Sequence, residues 1–541
     1  MRLVRRISQC LFILFFLYLF FNIKYPFHIK VPPDIFLRFD PLISLVSIIV
    51  SRKFITQVLL GFITLLLTIL IGRFFCGWVC PLGTILDISS RIIKRYSKSA
   101  PGKKQVIYPY SKLGHVKYVL LAIFFISALF STSQLLWFID PIVIITRSLT
   151  LSIYPLFVKL MNGLVDTLFF LRMPSSLISS IDNFLKPTIL PVSQIFFRLS
   201  SVTFLIFISI LLLEIICQRF WCRKLCPLGG LLALSSHFRL LKRKVSPACN
   251  DCSLCPQVCK MGAIGEDVRE SDVKECIECM NCVDICPKKA VAYSIPSIGG
   301  ANPVHNIYPK KDRLYLFRIR ERSYPVLSRR QFAFSVFSSV LMVGVLNTTF
   351  TDRNKGVRII RPPGALPEDE FLDRCIRCNA CVKMCASNGK GLMPGIFESG
   401  IVGLWSPIFH MRYGYCEYSC NLCGKVCPTQ AIHDLPLEVK QKTRIGLAFF
   451  DKNRCIPWYK NEDCLVCEEH CPLPKKAITL REEEVKLLDG GFKIVKRPYV
   501  IEKLCIGCGI CETKCPVSGN SAIFVTPQDE QRWTESAGKS V

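Results

Sequence analysis

The chain has 541 residues, of which 51% are hydrophobic, and its mean hydropathy is +0.37. This is too apolar for a purely soluble protein of several domains, so part of the chain is expected to lie in lipid. The formal net charge of +29 is strongly basic. Lys and Arg gather at the ends of apolar segments, however, as positive-inside topology requires, and this distribution argues against a nucleic-acid partner.

Five apolar segments are long enough, or nearly long enough, to cross a membrane as helices. They cover residues 8–23, 54–75, 116–138, 199–218 and 331–348. Basic residues near the amino terminus and after the second and fourth segments place those ends in the cytoplasm. The sequence therefore predicts a multi-pass protein of the bacterial cytoplasmic membrane, with a four-helix membrane domain over residues 1–240.

The predicted membrane domain contains an internal repeat. The segment 73–83 matches 219–229, and each copy carries a C-x3-C-P motif. Each copy also follows an Asp-Pro step, at Asp40 or Asp140, where an Asp N-cap and Pro at the first helical position predict a short surface helix. An insertion at residues 151–197 lengthens the second copy.

The repeat brings four cysteines to the same predicted membrane face. They are Cys76, Cys80, Cys222 and Cys226. We interpret them as one further metal site. Two alternatives stay open. The cysteines could form a thiol-disulfide pair system, or they could be incidental thiols at two tight turns where a helix ends and a proline follows.

Cysteine spacing is the most informative feature of the rest of the chain, because 24 of the 30 cysteines fall into six quartets. The second and sixth quartets read C-x2-C-x2-C-x3-C-P, the run found in bacterial ferredoxins. The quartets are Cys249, Cys252, Cys255 and Cys259; Cys276, Cys279, Cys282 and Cys286; Cys375, Cys378, Cys381 and Cys385; Cys416, Cys420, Cys423 and Cys427; Cys455, Cys464, Cys467 and Cys471; and Cys505, Cys508, Cys511 and Cys515.

These runs predict six [4Fe-4S] clusters, since two-residue gaps let one short loop place three thiolates around a cubane. Zinc ribbons instead separate two C-x2-C knuckles by a longer hairpin, and disulfides give no reason to repeat one ligand spacing. In two-cluster ferredoxins the fourth cysteines are exchanged, so Cys286 is expected to complete the first set and Cys259 the second. The first gap is wider in the fourth and fifth quartets, which predicts different loops, and pairing among the last four quartets stays open.

The remaining boundaries follow from composition and one further motif. Residues 241–300 form a predicted cytoplasmic two-cluster ferredoxin domain, and residues 301–327 a linker. Arg329 and Arg330 precede an apolar run without a small-residue cleavage site, which reads as a twin-arginine-like signal anchor at residues 328–350. An ordinary helix with two cytoplasmic arginines is the alternative. Residues 351–541 are then a periplasmic four-cluster ferredoxin domain.

Taken together, the motifs of the two halves make the chain resemble two neighbouring subunits of periplasmic nitrate reductase systems joined end to end. Residues 1 to 300 are similar to the NapH-type membrane quinol dehydrogenase ferredoxin, through the paired C-x3-C-P loops and the following quartets. Residues 325 to 530 are similar to the NapG/MauM-type periplasmic polyferredoxin, through the twin-arginine segment, the stretch 361–367 before Cys375, and Tyr415-Cys416 with Cys420.

The resemblance implies an electron carrier with quinol dehydrogenase activity. The quinone pool would be its electron donor, and a periplasmic oxidoreductase or cytochrome its acceptor. The competing interpretation is a redox assembly or maturation factor for another metalloprotein. The predicted fold class is membrane α-helical, a four-helix repeat plus a fifth anchor helix, with α+β bacterial-ferredoxin-like domains.

Overall fold

The structure is a computed structural model, and it describes residues 1–25, 31–97, 112–129, 136–171, 197–265, 267–295, 330–338, 340–341, 359–396, 398–486 and 491–534. The chain divides into two compact units, each built from three segments. Unit 1 comprises Met1–Tyr18, Phe36–Ile145 and Leu205–Val345, and unit 2 comprises Leu19–Ile35, Thr146–Phe204 and Leu346–Val541.

Within residues 1–240, the parts that the structure describes are helical wherever they have regular structure. The α-helices are α1 (Arg2–Phe21), α2 (Ile35–Arg38), α3 (Pro41–Ser51), α4 (Leu60–Leu70), α5 (Pro81–Ser97), α6 (Val116–Leu129), α7 (Pro141–Ser148), α8 (Tyr154–Phe170), α9 (Ser200–Leu212) and α10 (Pro227–Ser235). Single π-helical turns lie at Phe75–Val79, Leu149–Ile153 and Trp221–Leu225.

Two helices in the described part of the chain are long and apolar enough to cross a membrane, namely Arg2–Phe21 and the continuous helix Pro141–Phe170. Three predicted spans, at residues 54–75, 116–138 and 199–218, instead hold the shorter apolar helices Thr56–Leu70, Val116–Leu129 and Ser200–Ile215. A four-helix repeat of full-length spans is therefore not confirmed by helix length.

The helix that begins at Pro141 differs from the prediction. Asp140 accepts hydrogen bonds from the backbone N–H groups of Ile142 and Val143, both at 3.0 Å, and Asp40 caps α3 through Leu42 at 2.8 Å. Both Asp-Pro steps thus begin a helix as predicted. After Asp140, however, the helix continues through the π-helical turn Leu149–Ile153 and past Pro155 to Phe170, where a short surface helix was expected. It therefore takes up much of the predicted insertion.

Unit 1 contains a small two-stranded ferredoxin-like fold around the first two quartets. Strand β1 (Lys242–Val245) precedes the quartets and pairs antiparallel with β2 (Val291–Ser294), which follows them. The short helices α11 (Leu254–Val258) and α12 (Asn281–Ile285) each end at the fourth cysteine of a run. The strand pair therefore brings the two ends of this segment together.

Unit 2 repeats this plan for the last four quartets. Its helices are α13 (Glu368–Arg374), α14 (Ala380–Ala386), α15 (Leu422–Lys425), α16 (Leu437–Lys442), α17 (Ile456–Tyr459), α18 (Val466–Glu469) and α19 (Ile510–Lys514). Its strands are β3 (Leu392–Pro394), β4 (Pro407–Phe409), β5 (Leu447–Phe450), β6 (Ile478–Lys486), β7 (Phe492–Val500) and β8 (Ile523–Thr526). The antiparallel pairs are β3 with β4, β5 with β8, and β6 with β7, so that β5 and β8 enclose the last two quartets.

Two sequence predictions lie largely outside the described residues. The linker 301–327 is wholly outside them. In the predicted signal anchor 328–350, residues 330–338 and 340–341 are described and are helical.

Candidate iron-sulfur and thiol sites

Four of the six cysteine runs fold into the same loop. In each, the residues immediately before and after the second cysteine have positive φ. Left-handed residues in a turn direct successive backbone N–H groups towards one point, which is how backbone nests hold anions and iron-sulfur clusters. These loops therefore suit a negatively charged cluster. The residues are Asp251 and Ser253, Glu278 and Met280, Arg377 and Asn379, and Gly507 and Gly509.

The runs that begin at Cys416 and Cys455 have wider first gaps and a different loop, as the spacing predicted. The residues after their second cysteines, Asn421 and Leu465, have φ of −126° and −107°. Their three leading cysteines are still brought together, but by other backbone conformations.

Five of the six fourth cysteines share a second feature, a backbone N–H group that donates to the sulfur. Such N–H to S bonds stabilise the thiolate form and tune the potential of a bound cluster. The donors and acceptors are Ala263 to Cys259 (3.2 Å), Ala290 to Cys286 (3.3 Å), Ile432 to Cys427 (3.5 Å), Ala477 to Cys471 (3.4 Å) and Ala522 to Cys515 (3.4 Å).

In unit 1 the thiols gather as the exchanged pairing requires. Cys286 interacts electrostatically with Cys255, and Cys259 lines one cavity together with Cys276, Cys279 and Cys282. We call the resulting sets group 1 (Cys249, Cys252, Cys255, Cys286) and group 2 (Cys276, Cys279, Cys282, Cys259).

The third and fourth quartets, whose pairing the sequence left open, exchange their fourth cysteines in the same way. Burial, followed by the thiols of Cys378, Cys375 and Cys427, raises the pKa of Cys381. Burial, followed by the thiols of Cys416 and Cys420, raises the pKa of Cys385 to about 12. We call these sets group 3 (Cys375, Cys378, Cys381, Cys427) and group 4 (Cys416, Cys420, Cys423, Cys385).

The fifth and sixth quartets each surround a cavity. One cavity is lined by Cys455, Cys464, Cys467 and Cys515, and the other by Cys471, Cys505, Cys508 and Cys511. We call these sets group 5 and group 6. In each, three thiols from one run meet the fourth thiol of the adjacent run, which is the arrangement that a two-cluster ferredoxin uses for its cubanes.

The two C-x3-C-P loops have matching structures. Each motif begins in a π-helical turn, and its second cysteine is the residue before a proline-initiated helix. Gly83 donates its N–H to Cys80 Sγ at 3.5 Å, and Gly229 donates to Cys226 Sγ at 3.2 Å. All four cysteines of the repeat are buried, and they interact electrostatically with one another.

The arginines at the start of the two repeat copies cross over. Arg219 donates to the carbonyl oxygens of Cys76 (2.7 Å) and Gly83 (3.2 Å), both in the first copy. Arg73 in turn lies against Gly229 in the second copy, where a Cβ would be 3.0 Å from its Nη2. Both guanidinium groups are fully buried. Two cations therefore lie beside the four thiols.

Two carboxylates that the sequence analysis did not single out hold these arginines. Asp87 accepts from Arg219 at 2.9 Å and forms a salt bridge with Lys260 at 2.8 Å. Glu275 accepts from Arg73 at 3.2 Å and from Lys117 at 2.5 Å. The repeated Arg was a visible signal, but nothing in the sequence paired it with an acid so distant along the chain.

The group 2 loop contacts the first C-x3-C-P loop directly. Trp78 Nε1 donates to the carbonyl oxygen of Glu278 at 3.0 Å, and a Cβ on Gly77 would lie 2.4 Å from the carbonyl oxygen of Ile277. Arg239 also pairs with the Glu278 carboxylate at 2.7 Å. The glycine thus permits a backbone approach between two cysteine-bearing loops.

Within the described residues, no three His, Cys, Asp or Glu side chains gather closely enough to hold a single metal ion. The loops of the cysteine groups, their N–H to S bonds and the cavities that they line are instead features that fit a cubane.

Comparisons with known proteins agree with this chemistry. A family described as a 4Fe-4S binding domain matches residues 56–98 and 200–247, and so includes both C-x3-C-P loops. A family described as a 4Fe-4S dicluster domain matches residues 374–431 and 437–519, which hold groups 3 and 4 and groups 5 and 6. No solved structure matches the chain.

Three relatives illustrate the similarity. The methylamine utilization ferredoxin-type protein MauM of Methylorubrum extorquens is 36% identical over 173 residues, 32% of this chain and 74% of the relative. The ferredoxin-type protein NapG of Escherichia coli is 36% identical over 179 residues, 33% of this chain and 74% of the relative. The ferredoxin-type protein NapF of Escherichia coli is 29% identical over 183 residues, 34% of this chain and 93% of the relative.

The cysteine groups and the matching families define an iron-sulfur electron-transfer protein that binds [4Fe-4S] clusters. Over about a third of its length, the chain belongs to the family of ferredoxin-type proteins that includes MauM and NapG.

Proposed function

We propose that the protein is a membrane-bound quinol dehydrogenase ferredoxin that passes electrons from the quinol pool to a periplasmic oxidoreductase or cytochrome. The observation that carries the proposal is the contact between Trp78 and Gly77 in the first C-x3-C-P loop and Glu278 and Ile277 in the group 2 loop. It joins the helical repeat to a ferredoxin fold within one compact unit, as an electron path from a membrane site requires. The NapH-like character of residues 1–300 is part of this proposal.

We assign one [4Fe-4S] cluster to each of the six groups, with the group members as ligands. The clusters supply one-electron redox chemistry at potentials that the protein sets through burial and hydrogen bonds to sulfur. The chain itself contributes the thiols, the left-handed loops and the N–H donors to the fourth cysteines.

We also assign a seventh metal site to Cys76, Cys80, Cys222 and Cys226. A [4Fe-4S] core with four thiolates carries a charge of about −2, and a buried charge is tolerated only where opposite charges compensate it. The buried guanidinium groups of Arg73 and Arg219 supply such compensation from opposite copies of the repeat. A cubane at these four thiols is therefore our preferred occupant.

The proposed location is the bacterial cytoplasmic membrane, with groups 1 and 2 in the cytoplasm and groups 3 to 6 in the periplasm. Reporter fusions after residue 300 should report cytoplasm, and fusions after residue 360 should report periplasm. Replacing Arg329 and Arg330 by Lys should leave the later fusion inside, because twin-arginine export depends on that pair. Unchanged export of the double variant through the general secretory route would contradict the twin-arginine assignment.

Quinol-driven reduction tests the electron-transfer proposal directly. In anaerobic membranes that contain the full-length protein, a short-chain quinol should reduce the clusters of unit 2, as measured by electron paramagnetic resonance with spin integration. Reduction by dithionite in the same sample gives the total. If dithionite reduces these clusters and quinol reduces none, the quinol relay is wrong and the assembly-factor interpretation gains support.

A further inference from the structure

The four cysteine groups of unit 2 do not follow one another in space as they do in the chain. We infer that electrons pass through them in the order group 3, group 4, group 6, group 5, so that group 5 is the terminal donor to the periplasmic acceptor. This inference rests on the proposed electron-transfer function. Three contacts between neighbouring thiol sets support this order, and we call them links.

The first link joins groups 3 and 4. Cys423 of group 4 is among the thiols that interact electrostatically with Cys381 of group 3. The two groups also share their runs, because Cys385 and Cys427 are exchanged. They form one closely spaced pair.

The second link joins group 4 to group 6 and bypasses group 5. The backbone N–H of Cys416 donates to the carbonyl oxygen of Cys508 at 2.9 Å, so one hydrogen bond connects a thiol-bearing residue of each group. Among the thiols that act electrostatically on Cys508, Cys416 has a larger effect than Cys505 and Cys471 of group 6 itself. The two chain segments also approach closely beside this hydrogen bond, since a Cβ on Gly509 would lie 2.2 Å from Met411 Sδ. Electron transfer slows steeply with distance, so this junction is the favoured crossing.

The third link joins group 6 to group 5. Cys467 of group 5 interacts electrostatically with Cys511 of group 6. The thiols that act most strongly on Cys467 itself are Cys455, Cys464 and Cys515, all members of group 5. Group 5 is therefore reached through group 6 and lies at the end of the series.

Group 3 lies at the other end, against residues from the apolar helices that belong to unit 2. Lys383, between two cysteines of α14, is buried and donates to the carbonyl oxygens of Phe20 (2.6 Å) and Ile23 (3.1 Å). Its ammonium group also lies 4.2 Å from the Phe20 ring centre and 4.8 Å from that of Tyr154. A cation at the carboxyl end of a helix is favoured by the helix dipole. Asp34, which also belongs to unit 2, acts electrostatically on Cys378 and Cys427, both members of group 3. Group 3 therefore lies beside the segment that follows α1, at the opposite end of the series from group 5.

Each step in the series moves one electron and changes no covalent bond. Quinol is the reductant, and it releases two electrons and two protons as it becomes quinone. The periplasmic acceptor is the oxidant and takes the electrons one at a time. Each group returns to its starting oxidation state after the electron has passed.

Single-cysteine variants of the full-length protein distinguish the inferred order from chain order. Cys464→Ser should disable group 5 and leave groups 3, 4 and 6 reducible by quinol. Cys508→Ser should disable group 6 and also prevent quinol from reducing group 5, although dithionite still reduces it. Spin integration by electron paramagnetic resonance, with iron analysis of each variant, measures this pattern. The opposite pattern, in which Cys464→Ser cuts off group 6, would overturn the inference.

A surface pair tests the same inference without touching any proposed ligand. Leu465, next to Cys464, is 37% exposed, and Leu437, in α16, is 36% exposed. In dithionite-reduced protein, oxidation by the basic protein cytochrome c should be slower for Leu465→Lys than for Leu465→Glu, because like charges hinder the encounter. Leu437→Lys and Leu437→Glu are the matched controls and should differ little. An equal or larger effect at Leu437, or none at Leu465, would show that group 5 is not the terminal donor.

These experiments also separate failure of the order from failure of the proposed function. If quinol reduces no cluster in the wild-type protein, the proposed function is wrong. The cytochrome c experiment starts from dithionite-reduced protein, so it still decides whether electrons leave from group 5.

Discussion

Protein purified without oxygen should contain about 24 iron atoms per chain, four for each of six cubanes. The expectation rests on six thiol sets, four of which share the same left-handed loop and three of which each line a cavity. Sulfide should be present in equal amount, and zinc should be close to absent. Iron and sulfide analysis together with zinc determination in the same sample measures this.

Two other iron contents would have a clear meaning. A value near about 28 would support the seventh site at the C-x3-C-P loops. Zinc in stoichiometric amount, with iron far below the expected value, would show that the quartets are zinc knuckles and would contradict the ferredoxin interpretation.

Loss of any one cysteine of the repeat should abolish the same function. In Cys76→Ser and Cys222→Ser, quinol-driven reduction of the unit 2 clusters should fall by at least about tenfold, since members of one ligand set act as a unit. The six groups should keep their iron, because none of them includes a repeat cysteine. The measurement is the initial rate of quinol-driven reduction in membranes, normalised to the total reduced by dithionite.

Cys10→Ser is the control for this experiment. Cys10 lies in α1, is exposed and belongs to no cysteine group, so its replacement should change the rate little. Wild-type rates in both Cys76→Ser and Cys222→Ser would mean that the repeat cysteines are structural and that electrons reach the ferredoxin folds by another route.

The cysteine chemistry could be predicted from spacing because three ligands of each set lie within one short loop. Local sequence determines such loops, and the wider first gaps before Cys420 and Cys464 correctly indicated two different loop shapes. Which fourth thiol joins which loop depends on how neighbouring runs fold together. For groups 3 to 6, that pairing could be read only from the structure.

Helix extent was harder to predict than helix position. Both Asp-Pro steps begin helices, because an aspartate cap and an N-terminal proline act within one turn. The length of a helix, in contrast, depends on distant packing and on where a stop signal falls. The helix that follows Asp140 therefore runs to Phe170, whereas the apolar segment at 54–75 ends its α-helix at Leu70, just before Gly72 with φ of +112°.

During biosynthesis, neither run of an exchanged pair can complete its thiol set alone. Cys375, Cys378 and Cys381 emerge from the ribosome before Cys427. The third run can therefore retain a cubane only after the fourth run has been synthesised. The same holds for the other two pairs. Maturation should therefore proceed as three two-cluster loading events, in which defective loading of one run also leaves its neighbour without a cofactor.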